Sequence, residues 1–276
     1  MTSRREAMMV ADQPTFLSLL GGTVLLRPYV FVFLLAFLLA AIRDLGVRHT
    51  VGFLVWGRSV AFVAEYASTR VGIPFGLYHY TELTRGAELF ISNVPFFDSL
   101  SFVFLAYAAY CLARFAMGTA RGAGVVALSG VMMMLLDVVV DPLAVRGDRW
   151  VLGRVFYYPA GGVYFGVPLS NFGGWLIVGW TIVGGHVAAG GRRDRPSSAG
   201  SPGLGVALYY GVLLFNLVTT MWIGAWDLLA AGILVQGAGI LLLYRVGKAR
   251  GRQIPLAERP SPSPDHEFDD TRSGRP

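Results

Sequence analysis

Apolar runs, each about one bilayer thick, alternate along this chain with polar connections. Roughly 20 apolar residues in an α-helix span the hydrocarbon core of a membrane. Seven segments qualify: 28–42, 50–68, 97–116, 122–141, 170–188, 204–222 and 226–245. Pro28 suits the first turn of the first segment, where its missing N–H has no partner to lose. The apolar stretch 15–26 is shorter and predicts an interfacial or re-entrant piece, or else an eighth helix. The expected fold is therefore all-α, a multi-pass transmembrane bundle of seven or eight helices. A single helical domain over 15–247 would lie between an N-terminal tail (1–14) and a disordered tail rich in Pro, Ser, Asp and Arg (248–276). Residues 189–203 read as a flexible linker, and no internal repeat is visible.

Basic residues test that count. With the N-terminus on side A and seven helices alternating, side B receives eleven: Arg43, Arg48, Arg114, Arg121, Arg192, Arg193, Arg195, Arg245, Lys248, Arg250 and Arg252. Side A receives seven: Arg4, Arg5, Arg70, Arg85, Arg146, Arg149 and Arg154. The positive-inside bias makes side B, and with it the C-terminus, cytoplasmic, which suits a plasma (inner) membrane protein. The same alternation puts the long loops 69–96 and 142–169 together on side A, with the 223–225 turn.

Composition agrees. Only 14% of residues are charged, against about 25% in a soluble domain, so most of the chain has no water to face. The net charge of +6 comes from arginines between apolar segments and in the tail, with no basic stripe. It reads as juxtamembrane anchoring rather than nucleic-acid binding. Cys111 is the one cysteine and lies in an apolar run, which excludes an internal disulfide. No two of the four histidines (His49, His79, His186, His266) sit at metal-ligand spacing, which argues against a histidine-box metal enzyme. No short apolar segment with a small-residue cleavage site follows Arg4 and Arg5, so no cleavable signal peptide is expected.

Ionisable groups inside apolar segments are costly and mark candidate sites. Arg58 and Glu65 are two turns apart on one face, too far to pair directly. Asp137 and Asp141, in MMMLLDVVVDP, share a face at i,i+4, with Pro142 expected to end the helix. Carboxyls this close resist joint ionisation, so one would keep its proton, as a general acid must. A plainer reading has Asp141 capping backbone N–H groups, Asp137 paired with Arg58 or Arg154, and Glu65 bridged to a loop arginine. Asp227 reads as a helix-end residue. Side A adds Tyr66, Tyr78, His79, Tyr80, Asn93, Asp98, Tyr157, Tyr158, Tyr164, Asn171 and Trp175. Interfacial belts contain such aromatics. The glycine and proline punctuation of GIPFGLYHY (72–80) and GVYFGVPLSNFGGW (162–175) instead predicts defined, re-entrant backbone lining a cavity. A histidine such as His79 there is more simply hydrogen-bonded to backbone.

Four motifs in order carry a resemblance: Glu65 with GIPFGLYHYT (72–81), Asn93-Val-Pro95, DVVVDP (137–142) and YFGVPLSNFGGW (164–175). Together, over roughly 50–245, they resemble the family of carotenoid biosynthesis membrane proteins. That family contains carotenoid 1,2-hydratases and the bisanhydrobacterioruberin hydratase. One departure is Trp150, eight residues beyond Pro142, where the family often has an aromatic sooner. The resemblance implies addition of water across the terminal 1,2 double bond of an acyclic carotenoid, giving a tertiary alcohol with no cofactor or metal. Its partners would be the carotenoid, water, the bilayer and other carotenoid enzymes. Such chemistry needs a protonated acid, aromatic faces for a tertiary cation and a held water. Asp137 or Asp141 is the expected proton donor, with Glu65 the third candidate. Asn171, Tyr80 and Asn93 would place water, and Trp175, Tyr78 and Tyr164 would line the pocket.

Two rivals remain. DVVVD resembles one Asp-rich motif of a membrane prenyltransferase that lengthens carotenoids, although no second cluster shows on a helix. A non-catalytic carotenoid-binding or transport protein is the other, although no inverted repeat is visible.

Overall fold

A computed structural model describes residues 14–190 and 202–253. The tails, from 1 to 13 and from 254 on, and most of the 189–203 linker lie outside the described residues. Among the described residues there are eight α-helices: α1 Phe16–Leu26, α2 Pro28–Leu45, α3 Val47–Val71, α4 Phe96–Met117, α5 Ala123–Ala144, α6 Leu169–Ala188, α7 Gly203–Trp222 and α8 Trp226–Gln253. The seven expected spans are α2 to α8, and the stretch 15–26 is the short α1. The result is an all-α, membrane-type bundle. Helix α8 continues to Gln253, six residues into the segment expected to be tail.

Helix α4 is the axis of the bundle. Its small residues Ala106, Ala108, Ala109 and Ala113 are fully buried, as are Tyr107 and Tyr110. Small side chains let neighbouring backbones approach closely, the usual device of membrane helix packing. The outside is different. Leu35, Val63, Leu214, Leu234 and Ile240 are each at least half exposed. An apolar shell that continuous is stable only against lipid or other apolar surface.

Among the described residues, five helices (α2, α4, α5, α7 and α8) are long and apolar enough to cross a membrane. Helix α3, with Arg48, Arg58, Glu65 and Arg70 along it, and α6, with its glycines, asparagine and histidine, are not among them. Helix α5 tolerates two carboxyls because its mean hydropathy still reaches 2.3.

Proline does not end α5, contrary to the sequence expectation. Pro142 sits inside the last turn and the helix runs to Ala144. So near the C-terminus the lost N–H bond is one of the last, and Val145 N–H still donates to Asp141 O.

The two long side-A loops are tied together rather than separately inserted. Strand β1 (His79–Tyr80) pairs antiparallel with β4 (Phe156–Tyr157), while β2 (Phe90–Ile91) and β3 (Val94–Pro95) form a small hairpin. Helix α1 packs on this cap. Thr23 Oγ1 accepts from Leu89 N–H at 2.8 Å, and Gly22 lies against the Ala87 carbonyl. Arg27, between α1 and α2, donates to both oxygens of Glu88 and to the Leu152 carbonyl, 2% exposed. It joins α1 and both loops in one buried ionic clamp. A second buried pair, Arg114 with Asp44, ties α4 to α2 at the far end, where Tyr107 OH also donates to Asp44.

Candidate functional site

Glycine explains how the motif loops reach the helices. A Cβ on Gly174 would lie 2.5 Å from the Phe75 ring and 2.9 Å from the Pro74 backbone. Gly76, at φ +91°, sits against Ser170. The 72–80 loop therefore seats directly on the first turns of α6, and GIPFG and SNFGGW are two halves of one contact. That contact swings Tyr78 and Tyr80 inward over the ends of α3, α4 and α5.

Beneath them four carboxyls gather as two pairs. On one side, Asn171 Nδ2 donates to Asp137 Oδ2 at 2.7 Å and to Asp141 Oδ2 at 2.8 Å. One amide thus bridges the two aspartates. Across the cavity, the Tyr80 hydroxyl bridges Glu65 and Asp98 in the same way. Tyr80 OH lies 3.0 Å from Glu65 Oε1, 2.8 Å from Asp98 Oδ2 and 3.3 Å from Tyr78 OH. One phenol has one hydrogen for these three oxygens, so a neighbour must donate in return. Ser99 Oγ donates to the other Glu65 oxygen. Burial, with Asp98 and Glu65 alongside, holds the Tyr80 phenol well above the usual tyrosine range, so it remains a donor.

Two cavities meet at these acids. The inner one, about 30 Å³, is lined by Glu65, Asp98, Asp141, Asn171, Tyr78 and Tyr158, with aromatic rings closing it. That is room for one or two waters among polar partners. The outer one, about 100 Å³, is apolar and aromatic, with Tyr29, Phe33, Trp150 and Phe215 among its walls. Asp98, Asp141, Phe156 and Trp175 border both. Trp175 stacks on Phe102 with centroids 4.1 Å apart and planes at 9°. Trp150, displaced in sequence, lands in the outer wall. Its ring meets Tyr29 at 5.8 Å and its Nε1 donates to the Leu143 carbonyl.

Of the residues expected at a site, Glu65, Tyr78, Tyr80, Asp137, Asp141, Asn171 and Trp175 come together. Asn93 and Tyr164 line neither cavity. Asn93 accepts from Arg70 and donates to Thr69, fixing the 92–95 turn to the end of α3. Tyr164 packs its ring on Phe165 and Phe172. The alternative salt bridges are not formed: Glu65 and Asp137 bond to Tyr80, Ser99 and Asn171, while Arg58 lies over the Phe96 ring. Asp227 is an exposed first-turn residue of α8.

Asp98, named among the side-A residues but given no role in the chemistry, is the fourth acid of the cluster. At the N-terminal turn of α4 it looks like an ordinary helix-start carboxylate. The sequence signal that was available is the Ser99 beside it, a polar pair opening an otherwise apolar span. Among the described residues, no three His, Cys, Asp or Glu side chains are grouped to hold a metal ion.

Comparison with known proteins follows the same line. A bisanhydrobacterioruberin hydratase from Haloarcula japonica is 32% identical over 184 residues, covering 62% of this chain and 58% of that protein's length. No solved structure matches the chain. A family model of carotenoid biosynthesis proteins matches residues 24–238, which takes in α2 to α7, both motif loops and every acid of the cluster. The chain belongs to the carotenoid biosynthesis protein family.

Proposed function

We propose that this protein is a membrane-embedded hydratase that adds water across the terminal 1,2 double bond of an acyclic carotenoid end. The observation that carries the reading is the junction of the two cavities. A water-sized polar space and an apolar aromatic one share Asp98 and Asp141. The name of the Haloarcula relative supports the reaction class.

The polyene end would lie in the outer cavity with its last double bond at Asp141. Asp141, backed by Asp137 and Asn171, gives its proton to the CH carbon. The π pair forms the new C–H bond, and positive charge remains on the carbon bearing two methyls. The Phe102–Trp175 stack offers π faces to that cation. Water in the inner cavity attacks it and passes a proton to the Glu65–Asp98 pair, with Tyr80 placing the acceptor. The protons balance: one leaves the aspartate pair, one arrives at the other pair, and transfer between the pairs restores the start. Of the two aspartates on α5 only Asp141 lines the cavities, so it is the one of the pair placed to reach the alkene.

Incubating the purified protein with lycopene in ¹⁸O-labelled water is expected to give a product heavier by one labelled water, with no diphosphate or nicotinamide added. A chelator should leave the rate unchanged. Glu65 and Asp98, thirty-three residues apart in sequence, come together as a second acidic group, so the prenyltransferase alternative needs this test. A rate that collapses with chelation and requires an allylic diphosphate would favour it over hydration.

Asn171 and Asn93 separate site from scaffold. Asn171→Leu removes the donor shared by both aspartates, and turnover should fall about 10²-fold or more. Asn93→Ala should leave turnover within about threefold, since its bonds only brace a turn. Equal losses in the two variants, measured as product formed per folded protein, would remove Asn171 from the mechanism.

A further inference from the structure

We infer a second binding site, for a phosphate-bearing anion, at the opposite end of the bundle from the acid cluster. A cavity of about 560 Å³ opens between the start of α3 and the end of α6, lined by Arg48, His49, Phe53, Trp56 and His186. Position 49 is sixteen residues before Glu65 on the same helix, so the two sites are about 24 Å apart along α3. Nothing in the hydration mechanism uses this end.

Several observations point to an anion. Helix α3 begins at Val47 after Gly46, with no side-chain cap. Its first N–H groups have no side-chain acceptor, and the positive end of its dipole lies at the residues that line this space. Arg48 and His49, in that first turn, add donors and charge. His186 is 94% buried, 6% exposed, and its Nε2 has no hydrogen-bond partner. A buried imidazole nitrogen left unpaired is costly unless something fills the site. The nearest carboxylate, Asp44, is committed to Arg114 and Tyr107 and does not oppose an incoming anion.

The walls are built for an amphiphile. Gly185 has no Cβ, which would lie 2.4 Å from Trp56 Nε1. The Trp56 indole therefore lies against α6, donating to the Thr181 and Ile182 carbonyls. A half-exposed tryptophan beside cationic residues at a helix end is how proteins meet a lipid headgroup layer. The shared chemistry is a phosphate oxygen set, supplied either by an anionic lipid headgroup or by a soluble phosphate compound.

The test uses the full chain purified in a neutral detergent, with bound lipid counted by native mass spectrometry. Wild type is expected to retain phosphatidylglycerol in preference to phosphatidylcholine. Retention that survives excess inorganic phosphate assigns the site to the lipid headgroup. Displacement by phosphate assigns it to a soluble phosphate compound, and both outcomes support an anion site. Arg48→Gln with His49→Gln should weaken retention about tenfold or more, the loss of one or two charge-assisted bonds. His186→Phe, which keeps the ring contacts with Phe53 and Tyr110, should also weaken it with the melting temperature unchanged. Equal retention of the two lipids with no competition by phosphate overturns the inference. So does unchanged retention in variants that melt like wild type. Carotenoid turnover is a separate reading, so loss of the hydratase assignment would leave this one standing.

Discussion

Asp141→Asn is expected to lower turnover by about 10²–10⁴-fold, the range lost with a positioned general acid, while the protein stays folded. Asparagine has the same shape and can still accept from the Asn171 amide, now 2.8 Å from Asp141 Oδ2. It cannot deliver a proton to carbon. Asp137→Asn should lose less, because Asp137 touches the reaction only through its partner. The measurement is product formed from a solubilised acyclic carotenoid, normalised to protein that elutes as a single species and melts like wild type. Full turnover in both variants would remove the aspartate pair from the chemistry. The Glu65–Asp98 pair would then be the next donor to test.

The largest stability effect is expected at the buried clamp behind the outer cavity wall. Arg27 and Glu88 are 2% and 0% exposed in a bridge of 3.0 Å, and Thr84 Oγ1 also donates to Glu88. Glu88→Ala leaves a guanidinium buried without its counter-charge, which typically costs about 3–5 kcal/mol. For a chain of this size that lowers the melting temperature in detergent by roughly ten degrees. Replacing both, Arg27→Met with Glu88→Leu, should recover most of the loss, because no charge is then stranded. A Glu88→Ala protein that melts with wild type would show that the clamp does not hold the cap. Because the clamp joins α1 to the 82–89 and 150–155 segments, the single variant should also loosen the outer cavity wall at Leu152 and Trp150.

Hydropathy was enough to place the spans to within a few residues, except that α8 continues eight residues past its expected end at 245. Twenty apolar residues in a row have few other ways to satisfy their backbone. The acids on α5 also stood out, since a carboxyl in the middle of MMMLLDVVVDP is costly without a partner or a cavity. Partners were not. Whether Glu65 meets an arginine or a tyrosine depends on how the 72–80 loop folds back, which is decided by Gly76 and Gly174 seating it on α6. Asn93 carries a family motif yet serves the turn it belongs to, because Arg70 and Thr69 reach it first. Arg114, counted with the juxtamembrane anchors, is buried, and so is Arg27, since each has a carboxylate that sits some sixty or seventy residues away in sequence. Pairings at that separation leave no mark on local pattern.

The distribution of apolarity among the helices also bears on how the protein is made. The helices that bring Glu65 and Asn171 to the site, α3 and α6, are the two long ones that fall outside the set apolar enough to cross a membrane unaided. A translocon partitions each segment by its own transfer free energy as it emerges. Helices α2 and α4 would enter as independent hydrophobic segments, and α3 would be retained between them by its contacts. Helix α6 would follow α5 in the same way. Biogenesis and catalysis then depend on the same polar residues. Replacing Glu65 by an apolar residue would ease the membrane integration of α3 while removing the group proposed to receive the proton from water.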